Sequence, residues 1–216
     1  MTIKADQPIA EAVPDGSQVL RQARLAQSLT VGWMVVEGAV AIGAGVAAHS
    51  VALTGFGVDS GIELFSSGVV LHRLLQRTQH EERGSLTPGE RSATGMVGLA
   101  LYALIAYIVF AAGATLILRI EPLKSPAGIG LAVASLVFMT LLWRWRLRLA
   151  DRLRSPALRG DAACSLVCLY LAGATLGGLL LNQLLGIWWA DPVAALLLIW
   201  WIRGEAKEAR EAASAR

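Results

Sequence analysis

From residue 92 to residue 118 the chain carries no charged side chain, which is longer than the about 20 residues a helix needs to cross a hydrocarbon core of about 30 Å. In lipid the backbone must satisfy its own hydrogen bonds, so such a run is expected to be helical. Similar apolar runs over residues 29–48, 50–74, 126–143, 161–181 and 188–202 predict five more spans. The last is the shortest and opens on Asp191-Pro192, a capping residue followed by a first-turn proline. With 55% hydrophobic residues, 16% charged residues and a mean hydropathy of +0.56, the chain is too apolar for an ordinary soluble domain. The expected fold class is an all-α membrane protein with six transmembrane helices over residues 29–204. Residues 1–28 read as a polar cytoplasmic arm without the pattern of a signal peptide. Within the arm, residues 19–28 form either a short interfacial helix or an extension of the first span. Residues 205–216 read as a short cytoplasmic tail that prolongs the last helix.

Charge orients this set. With the N-terminus inside, Lys4, Arg21, Arg24, Arg73, Arg77, Arg83, Arg91, Arg144, Arg146, Arg148, Arg152, Arg154, Arg159, Arg203, Lys207, Arg210 and Arg216 all fall on one side. Only Arg119 and Lys124 fall on the other, so the positive-inside rule places both termini in the cytoplasm. The same rule accounts for the net charge of +3 and pI near 9.2 without any nucleic-acid partner. Lipid is the partner this composition requires, and the cell (inner) membrane is the expected location.

The second span, residues 50–74, carries two acids near its middle, Asp59 and Glu63. A charged group at the centre of a membrane helix costs about 2.5–3.5 kcal/mol on insertion scales, so it normally faces a partner, an ion or a water-filled cavity. Four residues apart, the two carboxylates share one helical face. Gly57 and Gly61 lie about 200° away, as a small-residue face for helix packing. In the fifth span Cys164 and Cys168 are again four apart. Spans two and five run in opposite directions, so packing them together sets Asp59 opposite Cys168 and Glu63 opposite Cys164. Two oxygens and two sulfurs can build a tetrahedral site for a divalent ion, with thiolates favouring softer metals. Buried cysteines also serve as small hydrophobes, and spacing alone leaves both roles open.

Other polar residues carry less. Glu37 in the first span reads as a proton acceptor, a ligand or a structural partner, and Asp161 as a cap or salt-bridge partner at the start of the fifth. Asp191 reads as a cap, and His49 as an interfacial residue near the outer mouth. His72, His80, Glu81 and Glu82 cluster beyond the second span, either as a second metal site or as an ordinary polar loop.

The runs SVALTGFGVDSGIELFSSGVV, LRGDAACSLVC and WWADPVAALLL, in this order and at these span positions, resemble the cation diffusion facilitator family of metal transporters. The resemblance implies a transport site formed by paired ligands on spans two and five, here Asp59 and Glu63 with Cys164 and Cys168, and an acid one turn earlier, here Asp161. The cargo it implies is a divalent metal, zinc first and cadmium or another soft metal next, exported in exchange for protons rather than turned over by an enzyme. Members usually carry Asp with His or Asp on span two and His with Asp on span five, so Glu63 and the cysteines depart from the pattern. The family's soluble C-terminal domain does not fit in the residues after span six, and the chain reads as a divergent member lacking it. Any homodimer would then form through the membrane part. A non-transporting metal sensor or scaffold of the same fold is the competing reading. An intramembrane hydrolase fits less well, since both acids lie on one helix and no serine-histidine or zinc-protease motif appears.

Overall fold

The computed structural model describes residues 16–76, 88–153 and 156–214, and all of its regular structure is helical. Six helices follow one another: α1 (Gly16–Ala48), α2 (Val51–Gln76), α3 (Pro88–Leu118), α4 (Pro126–Leu153), α5 (Pro156–Leu185) and α6 (Ala190–Ser214). The starts are written locally. Prolines open α3, α4 and α5, where a missing N–H is harmless, and Ser125 caps α4 by accepting from the Gly128 N–H at 3.2 Å. The stops are equally local, with left-handed residues His49, Arg119 and Gly186 just after α1, α3 and α5.

Helices alternate in direction. At one end the α1–α2 turn meets the start of α6 and the α3–α4 connection, where Leu123 N–H donates to Ala48 O at 2.7 Å. Asn182 near the end of α5 reaches Pro122 O in the same connection at 2.8 Å. At the other end the first turns of α1 pack Val19, Leu20, Ala23 and Ala26 against Val70, Leu74, Leu149 and Leu158. There α1 is one continuous helix, so residues 19–28 extend the first span. Arg24 donates to Leu74 O at 2.8 Å, closing the last turn of α2.

Among the described residues four helical stretches are long and apolar enough to cross a membrane: Ser17–Ala48, Gly95–Leu118, Pro126–Leu153 and Cys168–Leu185. Their outward faces carry Val46, Phe110, Ile117, Leu118 and Leu184, each well exposed. So continuous an apolar exterior suits lipid rather than water. The chain is an integral membrane protein. α2 owes its higher polarity to its position. It packs against α1, α3, α5 and α6 and buries Asp59, Ser60, Glu63 and Ser67, and a helix so enclosed presents little of itself to lipid. α6 is apolar only to about Ile202, then continues as a polar helix to Ser214 with a Lys207–Glu211 pair at 3.7 Å. Ala206 is nevertheless fully buried, and Arg210 lies 5.8 Å from the Tyr102 ring centroid on α3.

The seam between α1 and α2 uses small residues, as expected for Gly57 but not for Gly61, which stands in open space. A Cβ on Gly57 would lie 2.7 Å from Ile42 Cγ1 and 2.8 Å from Ile42 N, both on α1. Gly57→Val is therefore expected to push α2 off α1 and destabilise the fold by about 2 kcal/mol or more, read as a lowered unfolding temperature in detergent. Gly61→Ala, with nothing to meet, leaves that temperature near wild type.

Candidate functional site

Asp59 and Glu63 face the protein interior one turn apart on α2, each only 4% exposed. Both line a small cavity of about 20 Å³ together with Ile62 and Ser66 of α2, Val97 and Leu101 of α3, and Glu205 of α6. That is space for one water or a single ion. The two carboxylates differ in their partners. Asp59 lies within electrostatic reach of Glu63, Glu37 and Glu205. Glu63 is held on one side only. Its Oε1 accepts from Ser165 Oγ on α5 and lies 3.6 Å from the Arg146 guanidinium on α4, while its Oε2 is buried with no partner.

Arg146 was expected in a loop after the fourth span, among the cytoplasmic charges. It instead lies within α4, fully buried, and must leave the loop count. The reason is helical: α4 continues to Leu153, and Arg146 projects about 200° from Arg144 and Arg148, onto the inward side. It pairs with Asp161 and donates to Ser165 Oγ at 2.8 Å and Thr30 Oγ1 at 3.4 Å. Asp161 also accepts from Gln27 Nε2 at 2.6 Å and from Ser66 and Ser67. It is thus the salt-bridge partner expected of it, at the centre of a polar layer joining α1, α2, α4 and α5. Such a layer is tolerable in the interior because nearly every member is paired.

Glu37 is the hub of a second layer. Its carboxylate accepts from Trp33 Nε1 at 2.6 Å, from Ser60 Oγ at 2.7 Å and from Ser135 Oγ. Cys168 also turns to it, with Sγ 3.4 Å from Glu37 Oε1. Cys168 lies in the field of Glu63, Glu37 and Asp59 together, so it borders the acids while its thiol donates to α1. The α5 residue bonded to Glu63 is Ser165. The side chain of Cys164 lies outside the described residues, as do His80, Glu81 and Glu82. Among the described residues no three His, Cys, Asp or Glu side chains are arranged to hold a metal ion.

The remaining candidates sit away from the acids. His72 is exposed and pairs with Gln76 at 2.9 Å, and His49 occupies the α1–α2 turn with a φ of 53°. Asp191 does cap a helix, but that helix is α2. Its Oδ2 accepts from Val51 N at 2.9 Å and Ala52 N at 3.3 Å, and its Oδ1 from Ser50 Oγ. Two helix starts meet at that end of the bundle, and the carboxylate serves the neighbour's free N–H groups.

Sequence reasoning missed Arg146, Ser165 and Glu205. The i, i+2 spacing of Arg144, Arg146 and Arg148 carried a usable signal for the first, since on a helix the middle arginine must face away from the other two. Glu205 lies past the apolar part of α6, where partial burial, with Glu208 adding to it, pushes its carboxyl up to about 7.

A family model described as the cation efflux transmembrane domain matches residues 90–206. The match takes in α3, α4, α5 and most of α6, with Arg146, Asp161, Cys164, Cys168 and Glu205. It begins after α2, so Asp59 and Glu63 stand outside it. No curated protein matches the chain.

Proposed function

The chain belongs to the cation efflux family, and from that premise we propose that it carries a divalent transition metal, zinc first, out of the cytoplasm in exchange for protons. The observation that carries this reading is the pair of buried acids one turn apart on α2, lining a cavity, with one oxygen of Glu63 unpartnered. In this proposal the metal ligands are Asp59, Glu63, Cys164 and Cys168. Cys168 leaves Glu37 for the ion, and helix rocking brings α2 and α5 into register around it. Thiols and carboxyls must lose their protons to bind metal, so loading expels protons and their return releases the cargo. The donor set of two oxygens and two sulfurs suits zinc and also admits cadmium.

The same proposal has all six helices crossing the membrane, with α2 and α6 accepted because the others shield them, and both termini cytoplasmic. Residues 1–28 and 205–216 flank the transmembrane domain of residues 29–204, the cell inner membrane is its site, and any homodimer forms through that domain.

The test is uptake by proteoliposomes containing the purified full chain and an internal pH dye, with Zn²⁺, Cd²⁺, Mn²⁺ or Mg²⁺ added outside. Zn²⁺ is expected to accumulate with a matching proton movement, absent from empty vesicles. Zn²⁺ that binds the vesicles without entering them would establish a sensor or scaffold instead.

A further inference from the structure

The two oxygens of Glu63 are held unequally. Oε1 accepts from Ser165 Oγ, one helical turn after Asp161 on α5, while Oε2 is buried with no partner among the described residues. The direction of the Ser165 hydroxyl is fixed by what stands behind it. Arg146 Nη1 donates to Ser165 Oγ at 2.8 Å, and a guanidinium has only donors, so Ser165 accepts there and spends its single proton elsewhere. The other acceptor within reach, Asp161 O, is 3.4 Å away, so that proton goes to Glu63. Arg146 is itself anchored by Asp161 and lies 3.6 Å from the same Glu63 oxygen. Arg146 and Ser165 are fully buried and Glu63 nearly so, which places the whole relay at low local dielectric.

We infer that Ser165, oriented by Arg146, is a positioning residue that makes Glu63 a one-oxygen ligand and thereby favours four-coordinate divalent cargo. The inference rests on the reading of Glu63 as a transport ligand. With Oε1 committed to Ser165 and drawn toward the Arg146 charge, the carboxylate offers Oε2 alone. Presenting both oxygens to one ion would turn Oε1 away from Ser165 and leave that buried hydroxyl without its acceptor. Together with Asp59, Cys164 and Cys168, a one-oxygen Glu63 completes four ligands, the number that zinc takes in tetrahedral sites. Ions that prefer six or more oxygens, such as Mn²⁺ and Ca²⁺, are served better by a carboxylate that binds through both. The same bond ties α2 to the helix that carries both cysteines, so it limits Glu63 and holds it beside α5 at once.

The test uses the full chain purified in detergent as wild type, Ser165→Ala and Ser165→Thr, with Zn²⁺ and Mn²⁺ binding measured by calorimetry. In Ser165→Ala the Zn²⁺ affinity is expected to fall about tenfold or more, the usual effect of removing a hydrogen bond to a metal ligand, while the Mn²⁺ affinity holds or rises. Ser165→Thr keeps the hydroxyl and should restore the wild-type preference. The infrared carboxylate bands at saturating Zn²⁺ give an independent reading: a one-oxygen pattern in wild type should give way to a two-oxygen pattern in Ser165→Ala. Equal weakening of both ions, with all three proteins monodisperse, would overturn the inference by leaving Ser165 a packing role only, as would an unchanged preference. Vesicle uptake separates this inference from the transport reading. Zn²⁺ uptake by wild type, with a metal preference that ignores Ser165, removes the positioning role and keeps the transporter. A Ser165-dependent preference in a protein that moves no Zn²⁺ removes the transporter and keeps the positioning role.

Discussion

Arg146→Met is expected to destabilise the folded chain by about 3–5 kcal/mol, the usual cost of removing one member of a buried ion pair. The guanidinium is fully buried, pairs with Asp161 and lies 3.6 Å from Glu63. Its loss leaves two buried acids without their cation. Asp161 keeps the donors Gln27, Ser66 and Ser67, which places the effect toward the lower end of that range. Arg146→Lys should recover only part, because one ammonium cannot span the separate positions that the planar guanidinium fork serves. The double variant Arg146→Met with Asp161→Asn should be more stable than Arg146→Met alone, since neutralising the orphaned acid removes most of the penalty. Thermal unfolding of wild type, Arg146→Met, Asp161→Asn and the double variant in one detergent measures the coupling. Additive effects would mean that Arg146 and Asp161 do not depend on each other.

This layer also marks where reading the chain as a string ran short. Hydropathy treats Arg144, Arg146 and Arg148 as one block that ends a span. A helix does not stop for charge, however, when arginine and leucine are good helix formers, and α4 runs on to Leu153. That Asp59 and Glu63 share one face followed from 3.6-residue periodicity, and the break between the apolar runs 29–48 and 50–74 placed the α1–α2 turn at His49. Spacing told which α5 residues share a face but not how α5 is rotated about its axis. Its rotation decides that Ser165 meets Glu63 and that Cys168 meets Glu37. Glu205 was out of reach for a related reason: it lies 142 positions from Glu63, and only the packing of α6 beside α3 brings it to the same cavity.

Asp59→Asn is expected to abolish metal uptake, by about 100-fold or more, while leaving the fold as stable as wild type or more so. The two halves of this expectation come from the same fact. Among the described residues Asp59 makes no hydrogen bond or ion pair, so an amide of the same shape removes no native interaction. It cannot take up a charge among Glu63, Glu37 and Glu205. What it removes is the anionic oxygen that a metal needs and the proton that the metal would displace. Loss of uptake together with an unchanged or raised unfolding temperature identifies a functional acid, whereas loss of both identifies a structural one. Cys168→Ser separates cargo choice from turnover, because a serine hydroxyl can still donate to Glu37 but is a poor ligand for soft ions. Cd²⁺ uptake should fall about tenfold relative to Mn²⁺ uptake in that variant. Proportional loss of both metals would assign Cys168 to packing around Glu37, and retained uptake by Asp59→Asn would move the transport site away from α2.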